Sequence, residues 1–475
     1  MTENNFPPHS KPVAVARQLT EELFTDDETS ASILRWWRNG WWQFTGTAWE
    51  EVTELDVKQP IWERLETATC VTDKGVKDWE PNTARIRGLM EPLQIVNRLR
   101  DSIDAPAWLD GRSGNAADLI SLANGTVNVK SGEFNTGHDA ALFTTWSLPF
   151  DFDNMASCPT WEAFLREVFN HDPSGAQSLQ EYAGYLISGR TDLQKGLLLV
   201  GPPGGGKGTI SRTLQQLMGL SNCVSPSLSS LGGEFGMEDL IGKPLAVIED
   251  ARQEFGARTS TTVERLLSII GEDAVSVNRK NRSFWNGHLP TRFLMVSNEM
   301  PRLSDPSGAI LRRFVAIELT QSFANKPDTT LGQRINKELP GIFLWALQGL
   351  ARLNAQQRFT VPDTQADALE LMSDIGSPTK SYFTDEIDYI ITKDSSDIVP
   401  VKEVHARYKQ WCEETGIYPI PQNKFVQEVK AANLGIRYKN TRENGEKKQR
   451  LFYGLRLTNM ATSWFSPQGE EENSQ

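Results

Sequence analysis

The segment Gly201-Pro202-Pro203-Gly204-Gly205-Gly206-Lys207-Gly208-Thr209 constrains this chain more than any other. It follows the apolar run Leu197-Leu198-Leu199-Val200 and precedes a helix-patterned stretch, Ile210 to Met218. Strand, glycine-rich loop and helix, in that order, form the context of a phosphate loop. The glycines let successive backbone N–H groups curl around phosphates, and the helix N-terminus adds its dipole. Lys207 sets a positive charge on the β- and γ-phosphates. One position departs from the usual pattern. Gly208 stands where Ser or Thr normally holds Mg2+, and the Thr209 hydroxyl, one residue on, is the available substitute. The loop predicts ATP and Mg2+ as cofactors, bound through residues 201–209.

Downstream, short apolar runs alternate with helical stretches as far as about Asn354, the rhythm of an α/β domain. The runs are Gly196–Val200, Leu245–Ile248, Ala274–Val277, Phe293–Ser297 and Phe314–Leu319; the third reads as a hairpin arm and the others as core strands. Leu245–Ile248 runs into Glu249-Asp250. An apolar strand ending in two acids behind a phosphate loop supplies one carboxylate for Mg2+ and another to polarise the attacking water. Glu249 is assigned mainly to the metal and Asp250 to the water, an order open to reversal. Phe293–Ser297 ends at Asn298, an amide placed to read the γ-phosphate or hold the water. Arg312-Arg313 precede the last run; paired arginines stabilise charge on a transferring phosphoryl group, and Arg313 is the chosen finger. Between the acids and the asparagine, two short arms flank the tip Arg279-Lys280-Asn281-Arg282, followed by Phe284-Trp285. Basic and aromatic residues on a hairpin suit a grip on a nucleic-acid backbone.

With 475 residues the chain has room for about three domains. It carries 61 acidic against 49 basic residues, a net charge of −12, so it is no uniformly basic nucleic-acid coat protein. No apolar run approaches a membrane span of ~18 residues, and the first 20 residues lack the apolar core of a secretory signal. Cys70, Cys158, Cys223 and Cys412 lie far apart, which opposes a zinc ribbon or disulfide framework and fits a reducing cytoplasm. Eight of the 14 tryptophans precede residue 110. Base stacking is one use for them; burial in a small aromatic core is the favoured one. Asn124-Gly125 between apolar runs predicts a hairpin. Residues 1–30 read as a flexible terminus with a short helix near Ala14–Phe24, and residues 465–475 as a disordered acidic tail.

The ordered set of glycine loop, paired acids, basic hairpin, strand-end asparagine and paired arginines resembles the superfamily 3 helicases. Within them it is most similar to the C-terminal half of phage, plasmid and poxvirus-type primase–helicases. Ser297-Asn298-Glu299-Met300-Pro301, Leu311–Phe314 and Leu339-Pro340-Gly341-Ile342 with Trp345 and Gly349 look like the family's wording, and its phosphate loops include Gly-Lys-Gly-Thr. Upstream, Asn124–Val127, Phe143-Thr144-Thr145 and Gly184-Tyr185-Leu186 look like its helper domain. The resemblance implies a multidomain α/β fold with an AAA+-like P-loop ATPase core at 156–360, preceded by an α+β helper domain at 31–155. It implies an ATP-dependent replicative helicase of a mobile element: a hexameric ring translocating on single-stranded DNA, 3′ to 5′, and splitting forked duplex in a bacterial host's cytoplasm. The arginine then comes from the neighbouring subunit, and Lys280 with Arg279 and Arg282 grips DNA in the channel. No primase site is read in the chain, so priming falls to a separate primase.

Residues 375–458 read as a winged helix: helical spacing at Val404, Tyr408 and Trp411, a helix at Gln422–Ala432, then two strands around Glu443–Lys448. Nine basic residues against three acidic ones lie between Lys424 and Arg456, and Lys447 and Lys448 on the wing are candidate duplex contacts. Two rival functions stay open. One is an ATP-dependent origin-binding or assembly protein without unwinding; the other is a nucleotide kinase, whose loop can also read Gly-Lys-Gly-Thr.

Overall fold

The computed structural model describes residues 4–27, 29–72, 75–249, 259–301, 303, 308–325, 328–366, 368–369, 378–384, 388–415, 418–432, 434–441 and 449–458. Its centre is a five-stranded, all-parallel sheet. In chain order the strands are β1 (Gly196–Val200), β2 (Cys223–Val224), β3 (Leu245–Glu249), β4 (Arg292–Ser297) and β5 (Phe314–Glu318). In space they run β2-β3-β4-β1-β5. The apolar runs are unbroken because both faces are covered: β1 and the first four residues of β3 are wholly buried. The arm Val275–Val277 stays out of the sheet and pairs antiparallel with Trp285–Gly287. Strand β2 has only two residues, too few to show an alternating or apolar pattern.

One face of the sheet is covered by helices Pro173–Ile187 and Leu339–Gln356. They approach so closely that a Cβ on Gly349 would lie 2.2 Å from the Gln180 carbonyl oxygen, and one on Gly184 2.5 Å from that of Ala346. Glu181, fully buried, joins them by accepting from Arg352 Nε at 2.6 Å, Gln356 Nε2 at 2.8 Å and the Thr360 backbone at 2.7 Å. Helix Pro159–Val168 is tied to the same pair: the Glu338 carboxylate accepts from the backbone N–H groups of Thr160 and Trp161 at 3.0–3.1 Å. A carboxylate at a helix N-terminus is favourable for both charge and hydrogen bonding.

The N-terminal region differs from its expected outline. Residues 4–27 are packed: helix Pro12–Leu23 buries Val15, Ala16 and Leu19, and strand Asn5–Phe6 pairs in parallel with Thr69–Thr72. Phe6 and Phe24, apolar anchors in a polar segment, are what hold it down. The tryptophans mainly form core. Trp37, Trp41, Trp42, Trp49 and Trp79 are buried, with Trp37, Trp42 and Trp49 meeting Phe143 edge-on or tilted at 5.1–6.2 Å. Strand pairs Leu34–Trp37 with Gly40–Phe44, and Gly40–Phe44 with Trp49–Val52, make a three-stranded sheet. Leu119–Leu122 and Gly125–Asn128 form the expected antiparallel hairpin; Leu122 pairs with Gly125, so the two-residue turn is Ala123-Asn124. That hairpin does not end the first core at 155. Ile120, Leu122, Val127 and Leu148 share one cluster with Trp161, Leu199 and Phe343 of the central domain.

The C-terminal described residues form their own core around Tyr408, Phe425 and Phe452. Helices Val401–Thr415 and Gln422–Ala431 precede a three-stranded antiparallel sheet, Ile398–Pro400, Gln449–Tyr453 and Arg437–Thr441, with Gln449–Tyr453 central. Lys447, Lys448 and the acidic tail at 465–475 lie outside the described residues. No helix among the described residues is long and apolar enough to cross a membrane.

Candidate active site

The register of three neighbouring strands assembles the cleft. Val200 pairs with Ser297, so Gly201 and Asn298 leave β1 and β4 at one level. Glu249 pairs with Val296, which puts it at the same edge one strand further on. Strands lie about 4.8 Å apart, so the loop, the amide and the carboxylate share a single ridge at the carboxyl ends of the sheet. In open parallel sheets ligands bind at that end. Lys207, Thr209, Glu249 and Asn298 all line one cleft of about 810 Å³. Asp250 lies outside the described residues.

The loop conformation depends on glycine. Gly201 has φ 152° and Gly206 φ 94°; a Cβ on Gly201 would meet the Leu319 carbonyl oxygen at 2.2 Å. Gly206 is also the residue before helix Lys207–Met218, and Val168 and Phe164 pack against it. Lys207 starts the helix and folds back over the loop. Its Nζ donates to the carbonyls of Gly201 at 2.5 Å and Pro202 at 2.8 Å. The side chain is buried, and burial pulls its pKa below the usual lysine value. No carboxylate neutralises it among the described residues.

The remaining walls are not legible as a site in the sequence. Helix Pro159–Val168 contributes Thr160, Phe164, Glu167 and Val168, and the adjoining segment carries Phe323, Asp328, Leu331 and Arg334. Arg334 is ion-paired with Asp328. The signal that could find the first wall is the three- and four-residue spacing of Trp161, Phe164, Leu165 and Val168, which marks a packed helix but not what it packs against.

Arg312 and Arg313 are not brought to this cleft. Gly196 pairs with Phe314, so both arginines sit at the amino end of the sheet. That is the length of β1 away from the loop, about 16 Å for five residues at ~3.3 Å each. The two arginines differ in exposure. The Arg313 guanidinium is half-buried and donates to Gln194, whereas Arg312 is exposed.

The basic hairpin stands apart from both. Its tip does not present three cations. Arg279 is buried, its Nη2 2.6 Å from Glu51 Oε1 of the N-terminal region, and Arg282 Nη1 reaches the same oxygen at 3.0 Å. Trp285 is buried with the Arg38 guanidinium 5.1 Å from its ring centre. Lys280 and Phe284 remain exposed. Arg279 therefore clamps the hairpin onto the first region instead of facing solvent. Its partner is 228 positions away, which no local pattern reveals.

Three family descriptions match the chain: D5 N terminal like over residues 37–170, a family of unknown function over 199–313, and poxvirus D5 protein-like over 384–461. Among solved structures, the A-form apo structure of the NrS-1 C-terminal region is 12% identical, covering 88% of this chain and 96% of that one at a TM-score of 0.44. Two further apo structures from the same region, at 12% and 13% identity, cover 66% and 64% of this chain and 76% and 79% of theirs, each at a TM-score of 0.37. D5-type family models thus match on both sides of the sheet domain, which supports the phage and poxvirus-type primase–helicase relationship.

Proposed function

We infer that the chain is an ATP-dependent DNA helicase of the superfamily 3 type, built on an AAA+-like ATPase core. The observation that carries this reading is the single cleft at the carboxyl ends of β3, β4 and β1, with Glu249, Asn298 and the loop from Gly201 to Lys207 on its edge. The strand order β2-β3-β4-β1-β5 keeps the glycine loop and the acid one strand apart, with the asparagine between them.

The residues present fit ATP. An ammonium group buried against two carbonyls, without an acidic partner among the described residues, is costly until an anion arrives. A polyphosphate on the loop N–H groups supplies that anion. The apolar wall of Phe164, Val168 and Leu331 suits the base end of the nucleotide. The residues also fit Mg2+, which takes few protein oxygens and relies on substrate phosphates. Among the described residues no group of three or more His, Cys, Asp or Glu forms a cage, and Glu249 with Thr209 would hold the ion. When bound, Mg2+ neutralises charge on the phosphates. Lys207 then binds the β- and γ-phosphates, Asn298 orients the water or the γ-phosphate, and Asp250 polarises that water. An arginine from the neighbouring subunit of a ring completes the site, because the chain's own Arg312 and Arg313 are at the far end of the sheet.

In this reading Lys280 and Arg282 contact the backbone of single-stranded DNA. The C-terminal helices and sheet act as a winged helix on duplex, through the basic strands Arg437–Thr441 and Gln449–Tyr453 and the wing residues Lys447 and Lys448. The protein serves replication of a phage or other mobile element. One observation favours the rival assembly ATPase: Glu51 occupies two of the hairpin's cations. Displacement of a strand from a forked duplex separates the two. The helicase reading expects ATP-dependent displacement that requires a 3′ single-stranded tail; no displacement on any fork, with ATP hydrolysis intact, supports the assembly protein.

A further inference from the structure

Arg212 occupies an unexpected place. It lies on the first turns of helix Lys207–Met218, four residues after Gly208 and on the same helix face. Helical side chains lean towards the helix N-terminus, so a long side chain at 212 covers the surface over 208. The two are in direct proximity. A Cβ on Gly208 would lie 3.1 Å from Arg212 Nη1 and 3.7 Å from Cζ and Nη2. Both residues line the cleft that holds Lys207 and Glu249.

This arrangement opposes simple electrostatics. A cation is unfavourable at a helix N-terminus, where the dipole is positive, and Lys207 already adds a charge there. Arg212 is exposed and free to extend into water. Among the described residues its guanidinium makes no ion pair and no hydrogen bond that would hold it over the loop. A guanidinium resting on the cationic end of a helix becomes favourable when an anion is bound there. Position 208 has a second meaning: in the usual loop its hydroxyl meets Mg2+. Here that position has no side chain, and the Arg212 guanidinium lies over the face it leaves open.

We propose that Arg212 is a phosphate-binding residue of the nucleotide site, contacting the phosphate oxygens on the Gly208 side and sharing the charge neutralisation that Mg2+ carries in loops with Ser or Thr. The proposal rests on the nucleotide reading of the cleft. Its consequence is that a nucleoside diphosphate binds this protein largely without metal. The planar, five-donor guanidinium suits such oxygens better than an ammonium group.

The test is titration of the full chain with ADP, once in excess EDTA and once in excess Mg2+. Wild type is expected to lose no more than about tenfold in affinity when metal is removed. Arg212→Gln is expected to bind at least about tenfold more weakly than wild type in EDTA, with a smaller deficit in Mg2+, and Arg212→Lys to recover part of the loss. Because Arg212 is exposed, the apo variants should melt with wild type. Equal affinity of wild type and Arg212→Gln in EDTA overturns the proposal. So does wild-type binding that needs Mg2+ absolutely, an outcome that leaves the nucleotide site standing. A wild type that binds ADP under neither condition overturns the nucleotide reading, and the proposal with it.

Discussion

On the proposed reading, Lys207→Ala is expected to abolish ATP turnover, by at least about 10³-fold, and to remove measurable nucleotide binding while the chain stays folded. The scale follows from what the lysine does. A positioned cation on the transferring phosphates acts in a partly water-excluded cleft, where each 1.36 kcal/mol is about tenfold in rate. The fold survives because Lys207 makes no contact that holds the sheet together. Its two hydrogen bonds go to the loop carbonyls of Gly201 and Pro202. Burial disfavours its charged form, so replacing it also removes an uncompensated charge from the apo protein. ATP hydrolysis, ADP titration and a thermal melt of the same preparation check all three parts. A variant that still turns over ATP near the wild-type rate would remove the phosphate role of the loop.

With the finger supplied by a neighbouring subunit, Arg312→Ala is expected to reduce turnover by about 10³-fold or more, the range of arginine fingers, with ADP affinity close to wild type. The reason is placement. Arg312 lies at the amino end of β5, paired through Phe314 with the start of β1, and cannot reach phosphates at the other end in its own chain. It is exposed, whereas Arg313 is engaged with Gln194. A mixture of inactive Arg312→Ala and inactive Lys207→Ala should regain activity, because some interfaces then combine an intact loop with an intact arginine from the neighbour. Absence of any recovery, with mixed assemblies present, would place the arginine outside the site.

The parts of this molecule that are readable in the sequence are those whose physics is local. The glycine loop needs positive φ at Gly206, and only glycine reaches it cheaply, so the residue type announces the backbone. Four core strands are visible because burial on both faces fills their middles with apolar residues, polar ones such as Arg292 and Ser297 standing at the ends. The hairpin at Asn124-Gly125 is visible because Gly125, at φ 155° and with the Asn135 carbonyl oxygen 2.2 Å from where a Cβ would sit, has no room for a side chain. Non-local pairing is not. Strand β2 is two residues long, and Asn5–Phe6 acquires meaning only against Thr69–Thr72. Arg279 looks like a solvent-facing cation because its partner Glu51 belongs to another region. The helix carrying Phe164 and Val168 has the spacing of core, and it is core. That it also walls the cleft depends on Glu338, far along the chain, fixing its N-terminus.

The net charge of −12 and a nucleic-acid substrate are compatible because the basic residues are local. Lys280 and Arg282 sit on the hairpin, and Arg437, Lys439 and Arg450 on two adjacent C-terminal strands. Such patches bind phosphates without a basic exterior, and their contribution falls steeply with salt.

The central claim is that nucleotide chemistry in the cleft is coupled to DNA. The direct measurement is steady-state ATP hydrolysis by the full chain with and without single-stranded DNA at fixed low salt. The expected result is turnover raised several-fold by DNA, with the rise diminished in Lys280→Ala. Turnover indifferent to DNA, or phosphate passed from ATP to a nucleoside monophosphate instead of to water, would contradict it.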